Sequence, residues 1–242
     1  MVDALFADDA LARLYDLVED DRSDLLMYAA VVDESRASSV IDVGCGTGTF
    51  ACLLAQDGKR VVGVDPAAAS LAVARRKPGA DHVRWIHGDA TALNAVKADL
   101  VTMTGNVAQV FITDDDWDAT LRAARAALMP EGSLVFETRD PAREAWTDWN
   151  RAATYRELQL PDGDRLLTWI ELLAVELPLV SFRQLFTFAA RRETYVSEST
   201  LRFRTVDELV NSLDATDLQV HEIRDAPDRP GHEFVVFCQP NL

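Results

Sequence analysis

The feature that most restricts the fold of this chain is a glycine-rich turn after a short apolar run. Residues 40–43 read Val-Ile-Asp-Val, residues 44–48 read Gly-Cys-Gly-Thr-Gly, and helix-favouring residues continue to Gln56. The apolar run predicts a buried strand, and the glycines predict a tight turn into a helix. This order of elements builds a ligand site, because the backbone can approach a ligand closely and the helix start offers free N–H donors.

The same alternation of strand and helix continues along most of the chain. Further strands are predicted at residues 61–64, 83–87, 99–104 and 133–138, with helices between them. Two last strands, at 218–223 and 233–238, are joined by a connection too short for a crossover helix, so they should be antiparallel neighbours. The sequence therefore predicts an α/β fold with a mostly parallel, Rossmann-like sheet.

Two regions depart from this alternation. Residues 1–36 have the apolar spacing of two helices, with a break at residues 20–23. Residues 140–203 instead predict antiparallel strands, at 154–160, 165–177 and 180–188. We therefore divide the chain into an N-terminal core (1–139), an antiparallel insertion acting as a lid or substrate region (140–203), and a C-terminal segment completing the core sheet (204–242).

Composition limits the partners of the chain. Among its 242 residues, 40 are acidic and 24 are basic, giving a formal net charge of −16, so no nucleic acid partner is expected. No apolar run reaches the ~18 residues of a membrane span, and the acidic N-terminus does not resemble a secretory signal, which predicts a cytoplasmic protein without a membrane partner. The three cysteines lack paired spacing, and we predict no metal.

The glycine spacing and Asp42 indicate which cofactor the turn binds. A dinucleotide fingerprint, G-x-G-x-x-G, would require glycine at position 49, where this chain has Thr49. Asp42, at the strand end, would repel a pyrophosphate but would favour a cationic ligand without phosphate. S-adenosylmethionine is such a ligand.

Residues 40–49 resemble the first motif of the class I S-adenosylmethionine-dependent methyltransferases of small-molecule type. The resemblance continues through the later strands outside residues 140–203. It implies a seven-stranded sheet of order 3-2-1-4-5-7-6 with strand 7 antiparallel and helices on both faces. It also implies S-adenosyl-L-methionine as cofactor, S-adenosyl-L-homocysteine as product, and methyl transfer to a nitrogen or oxygen atom of a small molecule by in-line displacement.

The resemblance also implies cofactor-binding residues at successive strand ends. Asp65, followed by Pro66, matches the acidic residue that binds the ribose hydroxyls, and Asp89 with Ala90 matches the adenine contact. The glycine turn and the end of the fourth strand complete this set: Asp42, Gly44, Cys45, Gly46, Gly48, Thr104, Gly105 and Asn106. Tyr15 and Tyr28 resemble tyrosines of an N-terminal helix that closes the cofactor pocket in some relatives, and core packing explains them equally well.

The acceptor is indicated more weakly than the cofactor. The sequence after the fourth strand, Gly-Asn-Val-Ala at residues 105–108, lacks the Asn/Asp-Pro-Pro-aromatic motif of amino-directed DNA methyltransferases. The insertion stands where related small-molecule enzymes build a lid, and rigid aromatic rings with arginines suit a pocket wall. The substrate candidates are Arg139, Trp146, Trp149, Tyr155, Trp169 and Arg183.

Several alternatives stay open at this point. No general base is assigned, and His87, within a predicted strand, is interpreted as a core histidine. A non-catalytic S-adenosylmethionine-binding or regulatory module would keep the same cofactor motifs without chemistry. An NAD-dependent oxidoreductase would need NADH to bind, and Asp42 and Thr49 count against it. The chain is expected to act as a monomer or a homodimer.

Overall fold

The computed structural model describes residues 2–19 and 21–241, so Asp20, part of the predicted helix break, lies outside the described residues. Seven strands form the main sheet: β1 (Ser39–Val43), β2 (Arg60–Asp65), β3 (Val83–His87), β4 (Ala98–Met103), β5 (Leu128–Arg139), β10 (Leu218–Asp225) and β11 (Glu233–Pro240). Their order is β3-β2-β1-β4-β5-β11-β10. β11 is antiparallel to both neighbours, so the predicted sheet order and antiparallel strand are confirmed.

Helices cover both faces of this sheet. The described helices are α1 (Ala4–Ala7), α2 (Asp9–Val18), α3 (Ser23–Glu34), α4 (Thr49–Gln56), α5 (Ala68–Ala74), α6 (Asp114–Ala127), α7 (Arg151–Thr154) and α8 (Val206–Asp214). Neighbouring residues of β1 point to opposite faces, so Ile41 packs in one core cluster with Trp117 of α6. Val40 packs in the other cluster with Tyr28 of α3 and Phe50 of α4. Every residue of β1 is buried, as a central parallel strand requires.

A second sheet lies within the predicted insertion. Its strands are β6 (Arg156–Gln159), β7 (Arg165–Glu176), β8 (Leu179–Phe188) and β9 (Glu193–Arg202), paired antiparallel in chain order. The first three confirm the antiparallel prediction, whereas β9 was not predicted. β9 reads Glu-Thr-Tyr-Val-Ser-Glu-Ser-Thr-Leu-Arg, with too few apolar residues to signal a strand, and it forms because each of its residues pairs with β8.

The helix α2 joins the second sheet to the rest of the molecule. Its apolar residues Leu11, Leu14 and Val18 pack in one buried cluster with Leu166 of β7 and Phe186 of β8. An apolar face of β8 is therefore covered partly by a helix of the same chain. The polar side of α2 is left to face the carboxyl ends of the main sheet.

The interpretation of His87 as a core histidine is wrong, because β3 is an edge strand of the main sheet and the His87 side chain is exposed. Its Nε2 atom lies 3.0 Å from the Pro66 carbonyl oxygen.

Within the described part of the chain, no helix has the length and apolar character that crossing a membrane requires.

Candidate functional site

The glycine turn between β1 and α4 has a backbone that side chains would obstruct. Gly44, Gly46 and Gly48 all have positive φ angles, of 71°, 52° and 75°. A Cβ atom on Gly48 would collide with the Trp85 ring and approach Ala74 Cβ to 2.7 Å. Glycine is therefore required at position 48, and α4 begins there without a side-chain cap. The free N–H groups of its first turn remain available to a ligand.

Asp65, at the end of β2, is held in place by the backbone around it. Its Oδ2 atom accepts a hydrogen bond from Gly46 N at 2.8 Å, and its Oδ1 atom accepts one from Ala67 N at 2.7 Å. Burial raises the pKa of this carboxyl. Each oxygen keeps a second lone pair, so the carboxylate can still accept hydrogen bonds from a diol.

Asp42, at the end of β1, carries a buried oxygen without a partner. Its side chain is 1% exposed, and its Oδ1 atom accepts a hydrogen bond from Thr102 Oγ1 at 3.2 Å. Its Oδ2 atom has no hydrogen-bond partner. Burial raises the pKa of Asp42 to about 7, and Asp65 nearby raises it further. Such an orphaned acceptor is stabilised by a cationic or hydrogen-bonding ligand, which fits a sulfonium cofactor at this turn.

A polar network that was not predicted ties α2 to the glycine turn. Asp16 Oδ1 accepts a hydrogen bond from Thr47 Oγ1 at 2.7 Å, and Asp16 Oδ2 lies 2.6 Å from Lys77 Nζ. Lys77 Nζ also donates to Thr47 Oγ1 at 3.1 Å and to Thr49 Oγ1. The network places Tyr15, the neighbour of Asp16, at the mouth of the site. Only that adjacency to Tyr15 signalled Asp16 in the sequence.

A cavity of about 350 Å³ lies between α2 and the ends of β4, β5 and β11. Six carboxylates line it: Glu19, Asp21, Asp24, Glu137, Asp228 and Glu233. Three arginines line it as well: Arg22, Arg139 and Arg229. The predicted residues Tyr15, Gly105, Asn106 and Arg139 also line the cavity. The excess of carboxylates gives the cavity a negative potential suited to a cationic ligand.

Glu137 of β5 supports the turn that follows β4. Its Oε1 atom accepts hydrogen bonds from Gly105 N and from Asn106 N, the latter at 3.0 Å. Its Oε2 atom accepts a hydrogen bond from the Tyr28 hydroxyl. Burial raises the pKa of Glu137 to about 7, and the neighbouring Glu233 carboxylate raises it further. A charged residue within the apolar run of β5 was the available sequence signal for Glu137.

Glu233 of β11 is enclosed by three donors. Its Oε1 atom accepts from Arg229 Nη1 at 2.7 Å and lies 3.3 Å from Arg139 Nε. Its Oε2 atom accepts from Asn106 Nδ2 at 3.1 Å. Glu233 faces Arg139 because the two residues are direct partners in the β5–β11 pairing. That pairing joins residues 94 positions apart (233 − 139), which no local pattern indicates.

Of the predicted substrate residues, the structure brings only Arg139 to the cavity. Arg139 Nη1 donates to Gln109 Oε1 at 2.9 Å, and its guanidinium lies 5.7 Å from the centroid of the Trp149 ring. Burial lowers the pKa of Arg139, while Glu233 opposes that effect. Trp149 thus contacts the cavity wall through Arg139 without lining the cavity itself.

The remaining predicted substrate residues lie elsewhere on the insertion. Trp146 is 5% exposed and packs edge-on against Phe203. Tyr155 and Trp169 flank the Arg151 guanidinium, and Arg183 pairs with Glu171 at 2.7 Å. These residues pack inside the protein or pair with neighbours at its surface. Residue type did not predict which side chains reach the cavity, because the long-range register of the strands decides it.

The predicted cofactor residues have mixed environments. Tyr28 of α3 is buried in the core of the protein, and its hydroxyl donates a hydrogen bond to Glu137. Asp89 Oδ1 accepts a hydrogen bond from Thr91 N at 2.9 Å and caps the 3-10 helix Ala90–Leu93, in which Ala90 is buried. Burial raises the pKa of the Cys45 thiol, which disfavours a nucleophilic role. Thr104 is half-buried after β4, and Pro66 follows Asp65.

The fold and the site define a Rossmann-like α/β protein with a ligand site at the carboxyl ends of its central strands. A methyltransferase domain family matches residues 40–132. The cypemycin N-terminal methyltransferase of a Streptomyces species is 32% identical over 174 residues, covering 69% of this chain and 69% of the relative. The chain therefore belongs to the class I S-adenosylmethionine-dependent methyltransferases.

Solved structures agree with this fold. DesVI from Streptomyces venezuelae superposes with a TM-score of 0.78 at 21% identity, covering 95% of this chain and 98% of DesVI. CalS10 from Micromonospora echinaspora, described as an amino pentose methyltransferase with S-adenosylmethionine bound, has a TM-score of 0.74 at 24% identity. That match covers 93% of this chain and 96% of CalS10.

Proposed function

We propose that this protein transfers the methyl group of S-adenosylmethionine to the nitrogen of a small-molecule amine. The observation that carries the proposal is the acidic cavity between α2 and the ends of β4, β5 and β11, with six carboxylates against three arginines. An ammonium group carries the charge and the N–H donors that such a cavity accommodates, whereas a neutral alcohol leaves the carboxylates uncompensated. The names of two similar proteins, an N-terminal methyltransferase and an amino pentose methyltransferase, agree with an amine acceptor.

The residues at the strand ends would hold the cofactor. Asp65 would accept hydrogen bonds from the ribose hydroxyls, and Asp89 would contact the adenine. Asp42, on the strand that precedes the glycine turn, would face the positively charged end of the ligand. When bound, S-adenosylmethionine supplies an electrophilic methyl group on a sulfonium. The chain has to align the acceptor with that methyl group and keep water away, and α2, anchored through Asp16, covers the site from one side.

The cavity residues would prepare the acceptor. An amine that enters as an ammonium has to lose one proton before its lone pair can attack. Glu137, with its pKa raised to about 7 by burial and by Glu233, lines the cavity and can hold that proton near neutral pH. The product amine takes up the positive charge that the sulfonium gives away, so the negative potential of the cavity serves both states.

The test is a methyl-transfer assay with radiolabelled S-adenosylmethionine. We expect label to enter glucosamine or the dipeptide Ala-Ala, which present the two kinds of amine named above. Glucose and N-acetyl-Ala-Ala are the matched controls, since each lacks the free amine and keeps the rest of the molecule.

Equal labelling of glucose and glucosamine would contradict the amine acceptor. Cofactor binding without transfer to any amine would favour the non-catalytic module instead. The wider division into core, lid and C-terminal segment, the cytoplasmic location and the oligomeric state stay predictions of the sequence.

A further inference from the structure

Asn106 presents an unpartnered oxygen at the acidic cavity. It is 6% exposed, lines the cavity, and follows β4 with a left-handed backbone (φ 60°). Its Nδ2 atom donates to Glu233 Oε2 at 3.1 Å, whereas its Oδ1 atom has no hydrogen-bond partner. A buried carbonyl oxygen without a donor costs free energy, so it marks a place where a ligand donor belongs.

Glu233 decides which end of the Asn106 amide is left free. A carboxylate only accepts hydrogen bonds, so the amide must turn its NH₂ group towards Glu233 and leave its oxygen unbound. Glu233 itself is held in register, because Arg229 and Arg139 both lie against its Oε1 atom, at 2.7 and 3.3 Å. The orientation of the Asn106 amide therefore depends on the Glu233 carboxylate.

We propose that Asn106 Oδ1 accepts a hydrogen bond from the N–H of the methyl acceptor and selects amines, and that Glu233 is the positioning residue that turns this oxygen outward. The inference rests on the proposed function and names the residues that give it specificity. Asp228 supports it, because Asp228 Oδ1 is a second buried acceptor without a partner on the same cavity. Among the described residues that line the cavity, both orphaned atoms are acceptors, which suits a ligand rich in donors.

Glu233→Gln keeps the shape of the side chain but replaces one accepting oxygen by a donating NH₂ group. The two arginines should keep the carbonyl oxygen of the new side chain, so its NH₂ group faces Asn106. Two NH₂ groups cannot pair, and the Asn106 amide has to turn over, placing its own NH₂ group towards the acceptor. Adding Asn106→Asp restores an oxygen at the cavity, since one carboxylate oxygen accepts from residue 233 and the other stays free.

The experiment measures methyl transfer to glucosamine, or to Ala-Ala if only the peptide is methylated, in four proteins. Relative to the wild type, Glu233→Gln should raise KM for the amine about tenfold, the effect of one hydrogen bond to a charged donor, with a smaller change in kcat. The double variant Glu233→Gln/Asn106→Asp should recover most of that loss. Glu233→Gln/Asn106→Ala, without the oxygen, is the matched control and should not recover.

A second readout does not depend on the acceptor. In ¹⁵N-labelled protein, the Asn106 side-chain NH₂ resonances, assigned by their loss in Asn106→Asp, should exchange with water faster in Glu233→Gln than in the wild type. The dissociation constant for S-adenosylhomocysteine should stay within about twofold in Glu233→Gln, because a general loss of structure would change it.

Three results would overturn the inference. They are an unchanged KM in Glu233→Gln, a double variant no better than Glu233→Gln alone, and an Asn106 amide whose exchange does not change. If the wild type methylates no amine, both the proposed function and this inference fail. If it methylates amines and the variants behave alike, only the inference about Asn106 and Glu233 fails.

Discussion

Asp42 combines a functional position with a cost to the folded protein. Burial raises the pKa of Asp42 to about 7 from an ordinary value of 3.8. Between these two pH values the folded protein binds a proton that the unfolded chain has released, so the contribution of Asp42 to stability falls as pH rises. Above the folded pKa the full cost of the buried charge is present in the ligand-free protein. In the proposed function, this loss of stability accompanies a carboxylate that would hold a cation.

We predict that Asp42→Asn stabilises the ligand-free protein in a pH-dependent way. The free energy of unfolding of the variant relative to wild type should fall by on the order of 2 kcal/mol between pH 8 and pH 5. Urea denaturation at both pH values measures it. Asp99→Asn is the control, because hydrogen bonds from Ser38 and Ser39 lower the pKa of Asp99, so its effect should be flat over this range. A pH-independent gain for Asp42→Asn would contradict the prediction.

Tyr28 was predicted to bind the cofactor, and the structure favours a supporting role. Its hydroxyl donates to Glu137, and its ring is buried in the core. Tyr28→Phe should lower the free energy of unfolding by about 1–3 kcal/mol, because a buried carboxylate oxygen loses its donor. The affinity for S-adenosylhomocysteine, measured by calorimetry, should change less than about twofold. A large loss of affinity with unchanged stability would instead make Tyr28 a ligand contact.

At the scale of elements, α2 connects two parts of the molecule that do not share a core. Its apolar residues pack on the second sheet, and Asp16 on its polar side binds the glycine turn through Thr47 and Lys77. Through α2, the second sheet is therefore connected to the glycine turn. Sequence periodicity identified the helix, and only the tertiary contacts show what its polar face touches.

We predict that Asp16→Asn weakens cofactor binding. Removing the charge releases Lys77 and loosens the contact between α2 and the glycine turn, so the dissociation constant for S-adenosylhomocysteine should rise about fivefold, as expected for one partly exposed ion pair. Isothermal titration calorimetry measures it. Arg13→Gln, which removes an exposed charge on the same helix, should leave affinity unchanged, and an equal loss of affinity in the two variants would show that the contacts of Asp16 are not its cause.

At the scale of the whole molecule, a bound cofactor should stabilise the entire fold. The strand ends, the glycine turn and α2 all meet the site, so a ligand bound there stabilises the folded state alone. S-adenosylhomocysteine at about 100 times its dissociation constant should add about 2.7 kcal/mol, or roughly 5–10 °C in the melting temperature. Differential scanning fluorimetry measures this shift.

The same measurement separates the cofactor classes. Asp65→Ala should abolish most of the shift, because the ribose loses its carboxylate partner, and NADH should produce none. A shift with NADH equal to that with S-adenosylhomocysteine would contradict the argument from the glycine spacing and Asp42, and would return the oxidoreductase to consideration.

Local patterns determined much of this protein from the sequence alone. The glycine turn, the carboxylates at strand ends and the short last connection are features of adjacent residues, and they were enough to predict an α/β fold with two antiparallel last strands and the cofactor class. The sheet order was implied by the family that these motifs resemble. Each of these features acts through backbone geometry within a few residues, which is why a sequence can display it.

Only the tertiary structure decided which residues surround the acidic cavity. Glu137, Glu233 and Asn106 come from three strands or strand ends, and the register of β5 against β11 brings Arg139 opposite Glu233. That register is set by packing over the whole sheet. The same reason placed His87 on an exposed edge and Trp146 against Phe203. The sequence shows which chemical groups the chain carries, and long-range packing decides which of them meet.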